Sequence, residues 1–265
     1  MRIAWATDIH LNFLQQKKRE AFFDSISACN ADAVFITGDI AEAPILKIHL
    51  EEMVSSVQKP IYFVLGNHDY YYGSISSVRS ETLDYCEPHN NLNYLRGNKI
   101  IGLTKNTALV GHDGWGDGRL GSWEQTPVRL NDFRLIDELK DLEYRQLIDK
   151  LRELGDEAAV SIHGILAQAL DAHEHVIFLT HVPPFKESCW YEGKVGNDDW
   201  LPFFTCKAVG DTLYQLMQNR PGSKLTVFCG HTHHEGIAKI LPNLRVFTGS
   251  ADYGAPHVQD VLEVD

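Results

Sequence analysis

The stretch Ile61-Tyr62-Phe63-Val64-Leu65-Gly66-Asn67-His68-Asp69 decides how this sequence is read. Its apolar and aromatic start reads as a buried strand, and Gly66 ends it. Three side chains that can bind cations or carry protons follow at once. Composition alone would produce Gly-Asn-His-Asp in roughly 0.3% of comparable chains, so this tetrapeptide is informative.

Working outward, four more apolar runs end in the same manner. Arg2 to Thr7 leads into Asp8-Ile9-His10, and Ala33 to Thr37 into Gly38-Asp39. His175 to Thr180 leads into His181, and Leu225 to Cys229 into Gly230-His231-Thr232-His233. The intervening segments predict helices over Lys17–Asn30, Ile45–Val57 and Lys207–Asn219, with another capped by Ser74 and running to Glu87. Asp141–Ala172 is also helical, with a break expected near Gly155. Lys99–Leu103 pairs with Thr107–Gly111, Gly111–Asn131 is loop, and Gly236–Leu241 and Arg245–Thr248 are late strands. This alternation predicts α/β architecture with parallel neighbouring strands, and no linker divides the chain, so residues 1–265 are expected to form a single domain. In such sheets ligands gather at the carboxyl ends of strands, where residues distant in sequence meet.

The 265 residues carry 24 Lys and Arg against 36 Asp and Glu, a net charge of −12, with a pI near 5.5. A polyanion of this kind is a poor candidate for coating DNA or anionic membranes, although a metal could supply local positive charge. No apolar run is long enough for a membrane span, and Met1–Thr7 reads as a strand, not a secretory signal. The five cysteines share no close spacing, which argues against disulfides and thiolate zinc sites and for a reducing, cytoplasmic setting.

Short motifs also arise by chance. Asp171-Ala172-His173 and His173-Glu174-His175 mimic metal motifs but precede a strand, on the wrong side for a cleft, and read as a solvated helix end. His49, His89, His163 and His257 are read as ordinary core or surface histidines, and His234 lies outside the paired spacing. Tyr70, Tyr71 and Tyr72, with Trp190 and Trp200, could form a stacking wall for a nucleoside or aryl group, though such aromatics more often pack a loop onto its domain.

The ordered set Asp-x-His, Gly-Asp, Gly-Asn-His-Asp, a lone His after a strand, and Gly-His-x-His resembles the calcineurin-like metallophosphoesterase family. The likeness extends from Asp8 to His233, and more weakly over Tyr253–Asp260. Gly38-Asp39-Ile40-Ala41-Glu42 departs from it, because many relatives carry a further Asp or Asn there. The resemblance implies two mixed β-sheets packed face to face, helices on the outer faces, and a dimetal site at the strand ends. It implies that Asp8, His10, Asp39 and His233 hold one metal and that Asp39, Asn67, His181 and His231 hold the other, with Asp39 bridging. Carboxylate and imidazole donors suit manganese, iron or zinc. Two divalent cations against two carboxylates and a bridging hydroxide leave the centre positive, so phosphate is attracted despite the acidic chain.

The resemblance further implies in-line attack by the hydroxide on a small phosphomonoester or phosphodiester, nucleotide-like esters included. His68 would be the general acid and Asp69 would orient its imidazole and raise its pKa. His112 and Arg119, in the Gly-rich loop, and Tyr70 are candidate substrate contacts. A nuclease of the same fold and an inactive metal-binding scaffold are the alternatives. The lack of a Lys/Arg cluster opposes the first, and the complete ligand set opposes the second.

Overall fold

The computed structural model describes every residue from Met1 to Asp265. The chain opens with β1 (Arg2–Ala6), α1 (Gln16–Ala28), β2 (Ala33–Thr37), α2 (Ala43–Val57), β3 (Ile61–Val64), α3 (Ile75–Cys86) and β4 (Leu92–Tyr94). It continues through β5 (Ile101–Gly102), β6 (Thr107–Gly111), α4 (Asp132–Leu135), α5 (Tyr144–Ala172) and β7 (His175–Leu179). A hairpin of β8 (Trp190–Tyr191) and β9 (Lys194–Val195) precedes α6 (Leu201–Phe204) and α7 (Lys207–Gln218). Last come β10 (Lys224–Cys229), β11 (Gly236–Leu241), β12 (Leu244–Thr248) and β13 (Asp260–Glu263).

The first sheet has the order β13-β1-β2-β3-β4 and the second β11-β12-β10-β7-β6-β5. β1 to β4 run parallel with β13 antiparallel, while β12, β10, β7 and β6 run parallel with β11 and β5 antiparallel at the edges. Both sheets are therefore mixed.

Strand periodicity explains the layering, because successive side chains point to opposite faces. Phe35, Ile177, Leu179 and Phe228 meet in a core between the sheets. Their neighbours Val34 and Ile36 face Phe22, Leu50 and Val78 of α1, α2 and α3. Val176, Phe178 and Val227 face Ile162, Leu166 and Leu213 of α5 and α7. The result is the expected helix–sheet–sheet–helix sandwich, with both faces of each sheet covered.

Some boundaries depart from the sequence reading. α5 runs unbroken through Gly155, capped by a reciprocal Glu143/Gln146 box. Gly155 serves close packing, since a Cβ there would lie 2.6 Å from the Asp117 Cβ. The strand expected over Lys99–Leu103 shrinks to Ile101–Gly102. The short elements β4, α4, α6 and β13 and the β8–β9 hairpin lacked periodicity long enough to be read.

Candidate metal centre

The carboxyl ends of β1, β2 and β3 deliver Asp8, Asp39 and Asn67, and those of β7 and β10 deliver His181 and His231. The chain turns abruptly at these ends. Asp8, His10, Asp39, His231 and His233 all adopt positive φ, between 41° and 70°, an uncommon region for side-chain-bearing residues that tends to mark functional sites. Gly66 and Gly230 allow the close approach, because a Cβ on either would fall on a carboxylate oxygen, of Asp39 and Asp8 respectively.

Two groups of donor atoms converge here. In the first, one ligand atom each from Asp8, His10, Asp39 and His233 lies within 4.8 Å of all the others. In the second, the Nε2 of His181 lies 3.1 Å from Asn67 Oδ1, 3.1 Å from His231 Nδ1 and 3.5 Å from Asp39 Oδ1. Asp39 faces both groups, since its other oxygen, Oδ2, lies 3.7 Å from His10 Nε2.

Partners outside each ring fix which nitrogen faces inward. The Nδ1 of His181 donates to the Thr37 carbonyl at 2.8 Å, and His231 Nε2 donates to the Phe203 carbonyl at 3.2 Å. Asn67 Nδ2 donates to Asp132 Oδ1 at 2.9 Å, turning Oδ1 into the cluster. Two ring nitrogens and an amide oxygen, all buried, thus converge on one point. Such a set is suited to a cation, and its mix of carboxylate, imidazole and amide fits a divalent ion of borderline softness.

The electrostatics express the same deficit. Burial, reinforced by the Asp8 charge, pushes the Asp39 carboxyl well above the usual carboxylate range. Burial also raises Asp8, but its hydrogen bond with His233 and the surrounding imidazoles outweigh this and leave it low. Burial pushes His10 down to about 3 and holds His231 well below the ordinary value. Bound cations would stabilise the carboxylates and lone pairs together.

Of the remaining candidates, only His68 adjoins this cluster. The His68 ring borders the cluster, with Nε2 4.0 Å from Asp39 Oδ2, and packs tilted against Tyr71 at 4.3 Å. Asp69 does not hold it. Its Oδ1 accepts from the Ile40 and Ala41 amides, both at 2.8 Å, and its Oδ2 from Gly66 N at 2.7 Å. Asp69 therefore ties the loop after β2 to the loop after β3, and His68 Nδ1 is buried without a partner. Burial pushes His68 down to about 4, the reverse of the increase expected from an adjacent carboxylate. Tyr70 is fully buried and donates to Asp113 at 2.7 Å. His112 is also fully buried, accepting from Gly114 N at 3.1 Å. Arg119 pairs with Asp117 at 3.0 Å and Asp156 at 2.7 Å. None of these three lines the cavity at the cluster.

That cavity, of about 570 Å³, is bordered by Asp39, Asn67, His68, His231 and His233 on one side. Asp132 and Arg129, unremarked in the sequence reading, line it as well. Asp132 accepts from Asn67 and, at 2.7 Å, from the Tyr71 hydroxyl. The His173/His175 pair is occupied away from it, with His173 on the Ala169 carbonyl and His175 on Thr226.

A family model described as calcineurin-like phosphoesterase matches residues 1–235. No curated protein matches the chain in sequence. Among solved structures, a phosphopantetheinyl hydrolase from Mycobacterium tuberculosis is similar with a TM-score of 0.64 and 13% identity, over 97% of this chain and 94% of that one. A dimetal phosphatase from Danio rerio aligns with a TM-score of 0.59 and 12% identity, over 94% and 87%. The protein TT1561 of Thermus thermophilus aligns at 0.56 and 14%, over 94% and 89%. At these identities the structural likeness is one of fold.

Proposed function

Because this chain belongs to the calcineurin-like phosphoesterase family, we propose that it hydrolyses a small phosphomonoester or phosphodiester at a two-cation centre. Asp8, His10, Asp39 and His233 would hold one ion, and Asp39, Asn67, His181 and His231 the other. The observation that carries this reading is the division of Asp39, with Oδ2 toward His10 and Oδ1 toward His181. A carboxylate so divided can serve two ions at once. Manganese, iron or zinc bound there would supply Lewis acidity toward phosphoryl oxygens and a water acidified toward neutral pH.

The chain's own residues supply position and a proton. Thr37 and Phe203 carbonyls hold the His181 and His231 rings, and Asp132 holds the Asn67 amide. Asp69 positions the Asp39 and Asn67 loops by accepting three backbone amides. His68 lies in neither donor set, yet it lines the cavity beside both. It is the proton donor to the leaving oxygen once the anionic substrate beside it favours its charged form, since burial pushes it down to about 4, and Tyr71 packs against its ring at 4.3 Å.

A panel of aryl phosphomonoester, aryl phosphodiester and nucleotide, each with Mn²⁺, Mg²⁺ or Zn²⁺, tests the proposal. Metal-dependent turnover of at least one substrate is expected. Protein that retains two metal equivalents but hydrolyses none of them contradicts it.

A further inference from the structure

The aromatic side chains around the cavity fall into two kinds. Tyr71 and Phe204 are largely covered by site histidines, Tyr71 tilted against His68 and Phe204 stacked on His231, each pair at 4.3 Å. Tyr191, Trp200 and Tyr253 remain 58%, 45% and 55% exposed beside the same opening, Tyr253 even though one side of it packs on His10 at 4.6 Å and His233 at 5.1 Å. Large apolar surface gathered around a polar cleft marks a place where a ligand covers it.

This wall is built into the fold. Glu192 and Gly193, both at positive φ, turn β8 back into β9, the backbone that a tight two-residue hairpin requires. The hairpin lays Trp190 flat on Gly236, where any Cβ would fall on the indole. Tyr191 then packs edge-on against His234 at 4.7 Å, and Trp200 edge-on against Phe204 at 5.5 Å. The Trp200 ring is thereby steadied while nearly half its surface stays open.

Arg129 is the one Lys or Arg lining this cavity. Its Nη1 donates to the Thr126 and Val128 carbonyls, at 3.1 and 2.7 Å. Those bonds fix the side chain without neutralising it, and no carboxylate lies within ion-pair distance. Its Nε and Nη2 donors remain available to an anion. The volume, about 570 Å³, is within the roughly 300–1,000 Å³ typical of pockets that enclose a whole organic ligand. A bare phosphate would leave most of it empty.

We infer that this wall is the subsite for the organic part of the substrate. It takes a planar aromatic ring stacked on Trp200 and a second anionic group paired with Arg129. A nucleoside diphosphate carries that combination. The inference rests on the two-cation reading above, which assigns the scissile phosphate to the other side of the same cavity.

Binding to the Mn²⁺-loaded protein, followed by calorimetry and tryptophan fluorescence, tests it without turnover. Three probes separate the parts: α,β-methylene-ADP, methylenediphosphonate, which keeps the anion but lacks the ring, and methylphosphonate, which has one anionic group only. The nucleotide analogue should bind tighter than methylenediphosphonate by roughly 5–150-fold, the span of one base–aromatic stack. Trp200→Ala should erase that advantage and Trp200→Phe should restore most of it. Arg129→Gln should weaken both diphosphonates while sparing methylphosphonate. Equal binding of ring-bearing and ring-free probes overturns the inference, as does a loss in both variants that extends equally to all three probes. Ring-dependent binding without hydrolysis of any phosphoester would leave the subsite standing and refute the proposed function instead.

Discussion

Asp39 and Asp113 are each only 1% exposed, yet the fold treats the two carboxylates in opposite ways. Asp113 is fully partnered by the chain. Its Oδ1 accepts from Leu65 N at 2.8 Å, and its Oδ2 from the Tyr70 and Tyr94 hydroxyls, both at 2.7 Å, and from Arg79 at 3.1 Å. Burial alone would raise its pKa, but Arg79 and these donors outweigh burial and hold it below the usual range. Asp39 accepts one backbone amide, from His68 N at 2.9 Å, but otherwise faces the Asp8 charge and the His10 and His181 ring nitrogens, and burial with the Asp8 charge pushes it up. A buried acid whose protein partners complete it is structural. One left with a single backbone donor among other metal-binding groups is completed by cations.

The largest test of this contrast is Asp39→Asn. Removing the shared charge should cost turnover at least the roughly 10²–10³-fold typical of one electrostatic group in an active site. The metal-free protein should lose no stability, because the variant relieves repulsion from Asp8. A marked fall in the metal-free urea midpoint would place Asp39 with the structural carboxylates.

His68→Ala should come next, lowering turnover by about 10²–10⁴ while the metals stay bound. The loss should be smallest for a nitrophenyl ester, whose leaving group departs without a proton, and largest for an alkyl or ribosyl ester. A loss independent of the leaving group would remove the proton-donor role.

Asp113→Asn inverts the Asp39 result. It leaves Arg79 with only the partly exposed Glu157 as its anion and should cost up to about 3 kcal/mol in urea unfolding. Acid should probe the same region. Burial pushes neighbouring His112 down to about 4 from an ordinary 6.5, so the unfolded chain gains its proton first and stability falls as pH drops through that window. The Asp113 contribution, fully present above 3.8, is lost only at lower pH. His112→Gln should flatten the first phase, and an unchanged slope would show that other groups carry it.

The smallest effect is expected from changing His173 and His175 together to Gln, which should leave metal content and turnover nearly unaltered. Damage comparable with that from changing His231 or His233 would place metal binding at the wrong end of β7.

These cases also explain what could be read from sequence. The expected donor residues follow apolar runs directly, so a strand period and a polar break located them. The division of Asp39 between two groups was implied by family resemblance, because spacing carries no distances between loops. Asp132 and Arg129 were missed for a related reason. They sit at the end of the Gly-rich loop, and only folding brings Asp132 to Asn67, 65 residues away. The family resemblance made Asp69 the partner of His68, but the turn sends its carboxylate to backbone amides. Gly155 likewise signalled a helix break, whereas its lack of a side chain lets the Asp117 loop approach an unbroken helix.

The most direct measurement is the metal stoichiometry of reconstituted protein, wild type against Asp39→Asn, by elemental analysis after removal of loosely bound ions. The account predicts two equivalents per chain in the wild type and weakened retention at both positions in the variant. One equivalent in the wild type, or a variant that keeps both, would contradict the shared role of Asp39.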